Sequence, residues 1–495
     1  MTVAGLAGLL AALSAEYDAT SSADIVPVAL ELHVDAITPV GVCESFIGND
    51  CGFLLESVEE GQRYGRYSFL GRHPIGRFTS WGQDCVASGV LGDNESDGFV
   101  VARNYLNEIV VGPSVGSQIS DIPLTTGLVG VFGWESVRNI ETLPPRKPSL
   151  HRHPDAMLMA VGELVAFDHL RQTVTLIVNA VRGTAWDEIE ATFHRMVADL
   201  FQPSQTFARL SRNRNELPIA ETKRSTPSPQ YREMVRSAKE FIEAGDVFQI
   251  VLSQQFDVGS ITDPFAVYRT LRQVNPSSYL YYIQTPEATV IGASPESLVR
   301  LRDGVITTRP IAGSRPRGDD ERENQLRAAS LREDPKEIAE HVMLVDLGRN
   351  DIGRVAEFGS VSVDELMTVE TYSHIMHLTS EVSGRLRSGL DAVDVLRATF
   401  PAGTLSGAPK VRAMELITEL EPYSRGLYGG AIGYFDTRGN FDAAILIRTL
   451  VVDAEGQGSV QAGAGIVWDS DPQSEDEECW AKAEAILRAV GGSRT

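Results

Sequence analysis

Cysteine, cationic charge and long apolar runs are all scarce in this 495-residue chain, and each scarcity closes off a class of function. The cysteines are Cys43, Cys51, Cys85 and Cys479, none in C-x-x-C or metal-ligand spacing. Neither a disulfide framework nor a zinc site is expected, and a reduced, cytoplasmic setting is the simplest inference. No run approaches the roughly 20 apolar residues of a membrane-spanning helix. Lys and Arg total 44 against 67 Asp and Glu, a formal charge of −23. That balance argues against nucleic acid or an anionic membrane surface as the main partner. No Lys or Arg precedes Arg63. The Ala/Leu-rich residues 4–13 therefore lack the basic flank of an export signal and read as a short docking helix.

The length suffices for one large core or two to three ordinary ones. Residues 203–229 are polar and proline-bearing, the composition of a linker. They divide an N-terminal domain, 1–202, from a second domain, 230–490. Before the linker, Thr126–Trp134 and Thr173–Val178 read as strands and Trp186–Phe201 as a helix. After it, helices are predicted at Gln230–Ala244, Asp334–Leu347, Asp391–Ala398 and Ser474–Val490. They alternate with strands at Tyr279–Gln284, Gly430–Phe435 and Ala443–Val452. The mixture is α+β.

Two Glu-x-x-Glu pairs, Glu337/Glu340 and Glu475/Glu478, each fall in the first turn of a predicted helix. For the first, Asp334 is the expected cap, Pro335 the first helical residue and Glu337 the partner of a capping box. Ile338, Val342 and Val345 are its expected buried stripe. For the second, Ser474 and Glu477 are the expected box, with Trp480, Ala483, Leu487 and Val490 as stripe. At about 100° per residue both pairs clear the apolar stripe by the same offset. Two facing helices would then converge on one cation. Acidic residues in a first turn also answer the helix dipole unaided; as a site, an oxygen-only donor set points to Mg2+.

The second half also carries glycine-bearing segments read as loops: PIAGSRPRG (310–318), PAGTLSGAPK (401–410), YGGAIGY (428–434) and AGAG (462–465). Glycine lets main-chain N–H groups approach an anion. Arg315, Arg317, Lys410, Arg448 and Lys482 supply cations for the carboxylates of a small polyanion. None of the segments is a Walker motif, so the runner-up of a Mg2+-dependent phosphotransferase lacks a phosphate cradle.

Together with DPKEIAEHVMLVDLGRNDIGRV (334–355), YSHIMHLTSEVSG and AGAGIVWDSDPQSEDEE, these segments make the chain resemble the chorismate-binding enzymes. LLES (54–57), GRYSFLG (65–71) and GLVGVFGWE (127–135) extend the likeness to the anthranilate synthase large subunits. The resemblance implies two interleaved α+β domains with large, mainly antiparallel sheets around the active site, flanked by helices. It implies Glu340 and Glu478 as Mg2+ ligands, with Glu337 and Glu475 behind them. Gly313, Ser314, Tyr428, Arg448, the Gly463–Ala464–Gly465 turn and Lys482 would hold chorismate, Arg448 at its pyruvyl carboxylate. Glu296 of SPES would be the proton donor, His377 would serve the elimination stage, and Thr404 would orient. Ser314 stands where the family more often has Thr.

The same resemblance narrows the product. Gln249 lies where isochorismate and salicylate synthases have a water-activating lysine, and an amide cannot be that base. Ala312 lies where 4-amino-4-deoxychorismate enzymes often have a lysine nucleophile. Both absences favour anthranilate; a 2-amino-2-deoxyisochorismate synthase is the nearest competitor. No cysteine sits in the G-x-C-x-G turn of a glutaminase, so ammonia is expected free or from a separate glutamine amidotransferase subunit, in a heterotetramer of two large and two small subunits. Ser57, Ser278, Tyr279 and Leu280 match a pocket for tryptophan as feedback inhibitor. Ser278 and Leu280 depart from the usual Pro and Met there. An amino-acid-sensing scaffold without catalysis is the reading from another class.

Overall fold

In the computed structural model the described residues are 3–20, 22–34, 36–57, 65–92, 95–201, 222–318, 320–371 and 375–491. Thirteen of the described strands form one sheet and eleven a second. Each sheet draws strands from both halves of the chain, and pairing is antiparallel almost throughout. In the first sheet the N-terminal strand Gly52–Glu56 pairs with Tyr279–Gln284. In the second, Gly127–Phe132 pairs with Ala431–Asp436. This is the interleaved architecture the resemblance implied. Of the expected linker, residues 203–221 lie outside the described residues; beyond them Lys223–Arg224 adds a short strand to Gln249–Ser260, and a helix begins at Ser228.

Alternation along the strands sorts the apolar side chains into layers. Phe53, Val129, Val131, Met157, Tyr281, Ile283 and Ile432 fill the space between the sheets. Leu54, Leu280 and Tyr282 face the other way, against the helices Pro264–Val274, Trp186–Leu200 and Pro472–Ala489. The N-terminal segment is helical over Val3–Asp18 and docks through Leu10 and Tyr17. No described helix is long and apolar enough to cross a membrane.

Several predicted elements need correction. Ala443–Val452 is not one strand. It divides into Phe441–Ile445 in the second sheet and Thr449–Asp453 in the first, and Arg448 takes φ 50° in the break. The apolar run hid a crossing between sheets because both halves are buried alike. AGAG is not a loop or turn but part of the strand Gln457–Ile466. PIAGSRPRG likewise holds a strand, Ile311–Pro316, with a bulge at Gly313. The helix at Asp334 runs over Pro335–Gly353 and buries His341, Leu344, Val345 and Ile352, leaving the expected stripe residue Val342 42% exposed. Its cap is Asp334 as predicted, but the Glu337 carboxylate turns to Arg315 instead of closing a box. The last long helix, Pro472–Ala489, is capped by Asp471 rather than Ser474; its stripe of Trp480, Ala483, Leu487 and Val490 is buried as expected.

Between the sheets lies an ion pair with almost no exposure. Arg425 donates to both oxygens of Glu421 at 2.6 and 2.9 Å and to the carbonyls of Leu405 and Val251 at 2.7 Å. Glu421 in turn accepts from the main chain and hydroxyl of Ser253. Removing one member of such a pair strands the other charge, whereas replacing both with apolar groups need not. Arg425→Met should lower the unfolding free energy by about 3–5 kcal/mol in urea denaturation. The double variant Arg425→Met/Glu421→Leu should lose less than the sum of the two single changes.

Candidate active site

The site is assembled where the helix Pro472–Ala489 packs on the strand Gln457–Ile466 and faces Glu340 of the helix Pro335–Gly353 through Glu478 and Lys482. Gly463 needs to be glycine for approach, not for a turn: a Cβ there would stand 2.7 Å from the Leu252 carbonyl and 2.8 Å from the Tyr428 hydroxyl. Gly465 likewise abuts the Gln249 amide. Ala464, between them, points into the apolar cluster with Ile250 and Leu252, so only its main chain faces the site.

Lys482 ties the strand to the carboxylates. Its ammonium donates to the Gly463 carbonyl at 3.1 Å and pairs with Glu478 at 2.7 Å. It also acts electrostatically on Glu296 and Glu340. Glu296 accepts a 2.8 Å bond from the Thr404 hydroxyl. Burial raises this carboxyl to about 7, against the smaller opposing pulls of Thr404 and Lys482. It lines a cleft of about 450 Å³ with Thr308, Pro310, Leu347, Asp351 and Thr404. A carboxyl so placed is about half protonated at neutral pH and can donate.

His377 lies across the strand pair from Ser314, whose side chain is outside the described residues. Its Nδ1 lies 3.0 Å from the Gly313 carbonyl. A carbonyl only accepts, so Nδ1 carries the proton and Nε2 is the basic nitrogen. Burial lowers the pKa of His377, with Arg448 lowering it further. Gly313 takes φ 65°, and a Cβ there would meet the Glu337 carboxylate at 2.7 Å. Arg448, held in the break between the sheets, makes no side-chain hydrogen bond or ion pair among the described residues, and burial lowers its pKa. A cation desolvated without a partner is a receptor for an anion. Arg315 and Lys410, also anticipated as ligand cations, are instead paired with Asp334 and Glu337, and with Asp351.

The four glutamates are linked electrostatically in series. Glu340 is raised by burial and then by the neighbouring charges of Glu337 and Glu478, and Glu475 is raised by burial and then by Glu478. Among the described residues no three acidic, His or Cys side chains already converge on one point. The oxygen donors and their mutual repulsion nevertheless suit a hard divalent cation.

At the opposite end of the strand Gly52–Glu56, the last rung pairs Glu56 with Leu280, which sets Ser57 beside Tyr279. The Ser57 hydroxyl is buried with no hydrogen-bond partner among the described residues. Tyr279 donates to Asp442 at 3.0 Å. The side chain of Leu280 is on the other face, in the core with Tyr268; Ser278 is half-buried. Sequence reasoning passed over Glu56, which the Tyr268 hydroxyl and Arg272 hold at 2.6 and 3.1 Å. It also passed over His341, fully buried one residue beyond Glu340 and 2.6 Å from the Ser380 hydroxyl. A lone polar residue in an apolar stripe was the only signal for either.

Because Glu296 binds its proton more tightly folded than unfolded, its contribution to stability is complete below its ordinary pKa of 4.5 and is lost as pH rises through about 7. The stability difference between wild type and Glu296→Gln, followed by denaturation from pH 4 to 8, should therefore move against the wild type across that window.

The sequence profile of the chorismate binding enzymes matches residues 51–488. Anthranilate synthase component 1 of Acetivibrio thermocellus is 42% identical over 478 residues, covering 94% of this chain and 95% of that one. The component 1 of Mycobacterium tuberculosis H37Rv is 41% identical over 489 residues, covering 95% and 94%. The crystal structure of anthranilate synthase component I from Streptococcus pneumoniae superposes with TM-score 0.77 at 35% identity, covering 92% of this chain and 98% of that one. The menaquinone-specific isochorismate synthase of Escherichia coli, 18% identical with TM-score 0.73 and covering 98% and 99% of the two chains, shares the fold. With the family profile matching most of its length and relatives above 40% identity along nearly all of it, this chain belongs to the chorismate binding enzyme family.

Proposed function

We propose that the chain is the synthase subunit of an anthranilate synthase in tryptophan biosynthesis, converting chorismate and ammonia to anthranilate, pyruvate and water. The observation that carries the reading is Glu296, a carboxyl that burial raises to about 7, so that about half of it holds a proton at neutral pH, and that accepts a hydrogen bond from Thr404. Ammonia adds at C2 of the substrate while the C4 hydroxyl leaves, and that hydroxyl departs as water on taking the Glu296 proton. Arg448 receives the pyruvyl carboxylate. His377, with its proton fixed on Nδ1, presents Nε2 as the base for the elimination that releases pyruvate. Glu340 and Glu478, backed by Glu337 and Glu475, would hold Mg2+, which when bound supplies a counter-charge to the ring carboxylate.

Ala312, nearly buried in its strand, offers no nucleophile for the para-amino route, and Gln249 no base for activating water. Both favour the ortho-amino product over 4-amino-4-deoxychorismate or isochorismate. The relatives' designation as a component 1 supports a separate component 2, here the glutamine-hydrolysing source of ammonia in a complex of two subunits of each kind. The Ser57 hydroxyl, beside Tyr279 and without a hydrogen-bond partner among the described residues, supports tryptophan as a feedback ligand there.

Purified chain given chorismate, Mg2+ and ammonium should release anthranilate and pyruvate in equal amounts, and a chelator should stop both. An aminated product that keeps its pyruvyl group would refute the assignment. Glu296→Gln should cut turnover by about 10²–10⁴. For the wild type, kcat/KM per free NH3 should fall as pH rises above about 7, where Glu296 loses its proton. Ser57→Ala should raise the tryptophan concentration for half-inhibition by about tenfold with uninhibited turnover unchanged.

A further inference from the structure

We propose that Asp476 is the positioning residue that aims the metal-holding carboxylates, by fixing how the helix Pro472–Ala489 is turned about its own axis. The inference rests on the reading above, that Glu340 and Glu478 hold Mg2+ with Glu337 and Glu475 behind them. An aspartate close to a helix start ordinarily faces water, where it also answers the dipole. Asp476 is instead 2% exposed, although it stands between Glu475 and Glu478 and no step of the reaction uses it.

Three separate elements build its socket. One carboxylate oxygen accepts from Arg224 at 2.8 Å and from the Gln254 amide at 3.1 Å, and the other from Arg232 at 3.4 Å. Arg224 belongs to the short strand Lys223–Arg224, Gln254 to the strand Gln249–Ser260 beside it, and Arg232 to the helix Ser228–Glu243. The Arg224 guanidinium also lies over the Trp480 ring, 4.9 Å from its centroid and one turn further along the same helix as Asp476. Lys239, from the helix that carries Arg232, donates to the Ser470 carbonyl at 2.7 Å, just ahead of the cap Asp471. In this role a buried pair selects one arrangement of the elements it joins rather than adding much stability.

The socket and the site lie on different sides of the helix. At about 100° per residue, Trp480 falls near Asp476, whereas Glu475, Glu478 and Lys482 fall roughly 100–160° round from it. Asp476 therefore acts through the rotation of the helix and not by contact with the cation. A turn of about 10° moves atoms at the ~5 Å side-chain radius by roughly 1 Å, several times the tolerance of about 0.2 Å on metal–ligand distances.

Lys482, 3.1 Å from the Gly463 carbonyl, tethers the site side of the helix, but a single tether is a pivot. The charge of Glu478 acts on Glu340 across the gap between the two helices, and before a cation arrives that repulsion works to turn the helix away. The cations of the socket hold it against that force, so the donors are aimed before the metal binds.

The test uses the full chain, with chorismate present and ammonia withheld so that nothing turns over. Mn2+ is the probe, its free concentration read by electron paramagnetic resonance at a temperature where thermal unfolding shows every variant to be folded. Wild type is compared with Asp476→Asn and with Arg224→Met, which leaves the sequence of the helix untouched. Each should weaken Mn2+ binding by about tenfold or more. The double variant should bind about as weakly as either single one, since both break the same contact. Arg224→Lys, which keeps the charge, should recover part of the affinity. Variants with a lower unfolding midpoint but the Mn2+ affinity of the wild type would overturn the proposal, because a merely structural pair gives that result. So would losses that add fully in the double variant. A wild type that takes up no Mn2+ sinks the reading of the glutamates and the proposal with it, a result distinct from any difference between variants.

Discussion

Each sheet is continuous only because a strand from the first half of the chain is hydrogen-bonded to one from the second. Gly52–Glu56 with Tyr279–Gln284, and Gly127–Phe132 with Ala431–Asp436, are the two seams. Every strand beyond a seam depends on it, since a sheet edge left open exposes unpaired main-chain groups. The layer between the sheets requires both seams at once: Val129, Val131 and Met157 from one half meet Tyr281, Ile283 and Ile432 from the other. Neither half therefore owns a complete core. The seam at Gly52–Glu56 also brings Ser57 to Tyr279, placing the proposed regulatory pocket on the joint that holds the halves together.

Close approach of main chains then shapes the site. Gly463 admits the Tyr428 hydroxyl beside the strand, and Gly313 admits the Glu337 carboxylate. Arg448 occupies the point where the chain leaves one sheet for the other, in a left-handed conformation. Its carbonyl is held by the Ala293 N–H, while its guanidinium has no hydrogen-bond or ion-pair partner among the described residues. Rigid strands on one side and two helix first turns on the other fix the reacting groups more closely than loops would.

The electrostatics divide by partner. A surface with a net charge of −23 would repel a dianionic substrate, yet Lys482 acts on Glu296 and Glu340, two carboxyls whose pKa burial raises. Desolvation thus acts in opposite directions within one site: it raises the pKa of Glu296 and lowers that of Arg448, disfavouring the charged form of each. Arg315 and Lys410 are consumed by internal pairs and brace the helix Pro335–Gly353 instead.

Much of this was legible in order along the chain. Periodicity located the helices and most strands, Asp334 and Pro335 marked a helix start, and ordered motifs named Glu296, His377, Thr404, Arg448 and Lys482 before any of them could be seen together. Glycine misled, because a residue that permits turns also permits contact: AGAG proved to be a strand whose glycines make room for neighbours. Capping also misled at Ser474, where Asp471 competes three residues earlier, and the apolar run 443–452 concealed a change of sheet. What the sequence by itself determined was which family's motifs the chain carries and which residue types they offer, since those are properties of side chains and local spacing. Only the tertiary structure decided that burial would raise Glu296 to about 7, and that Arg315 would be paired while Arg448 has no ion-pair partner among the described residues, because burial and pairing arise from contacts between separate segments.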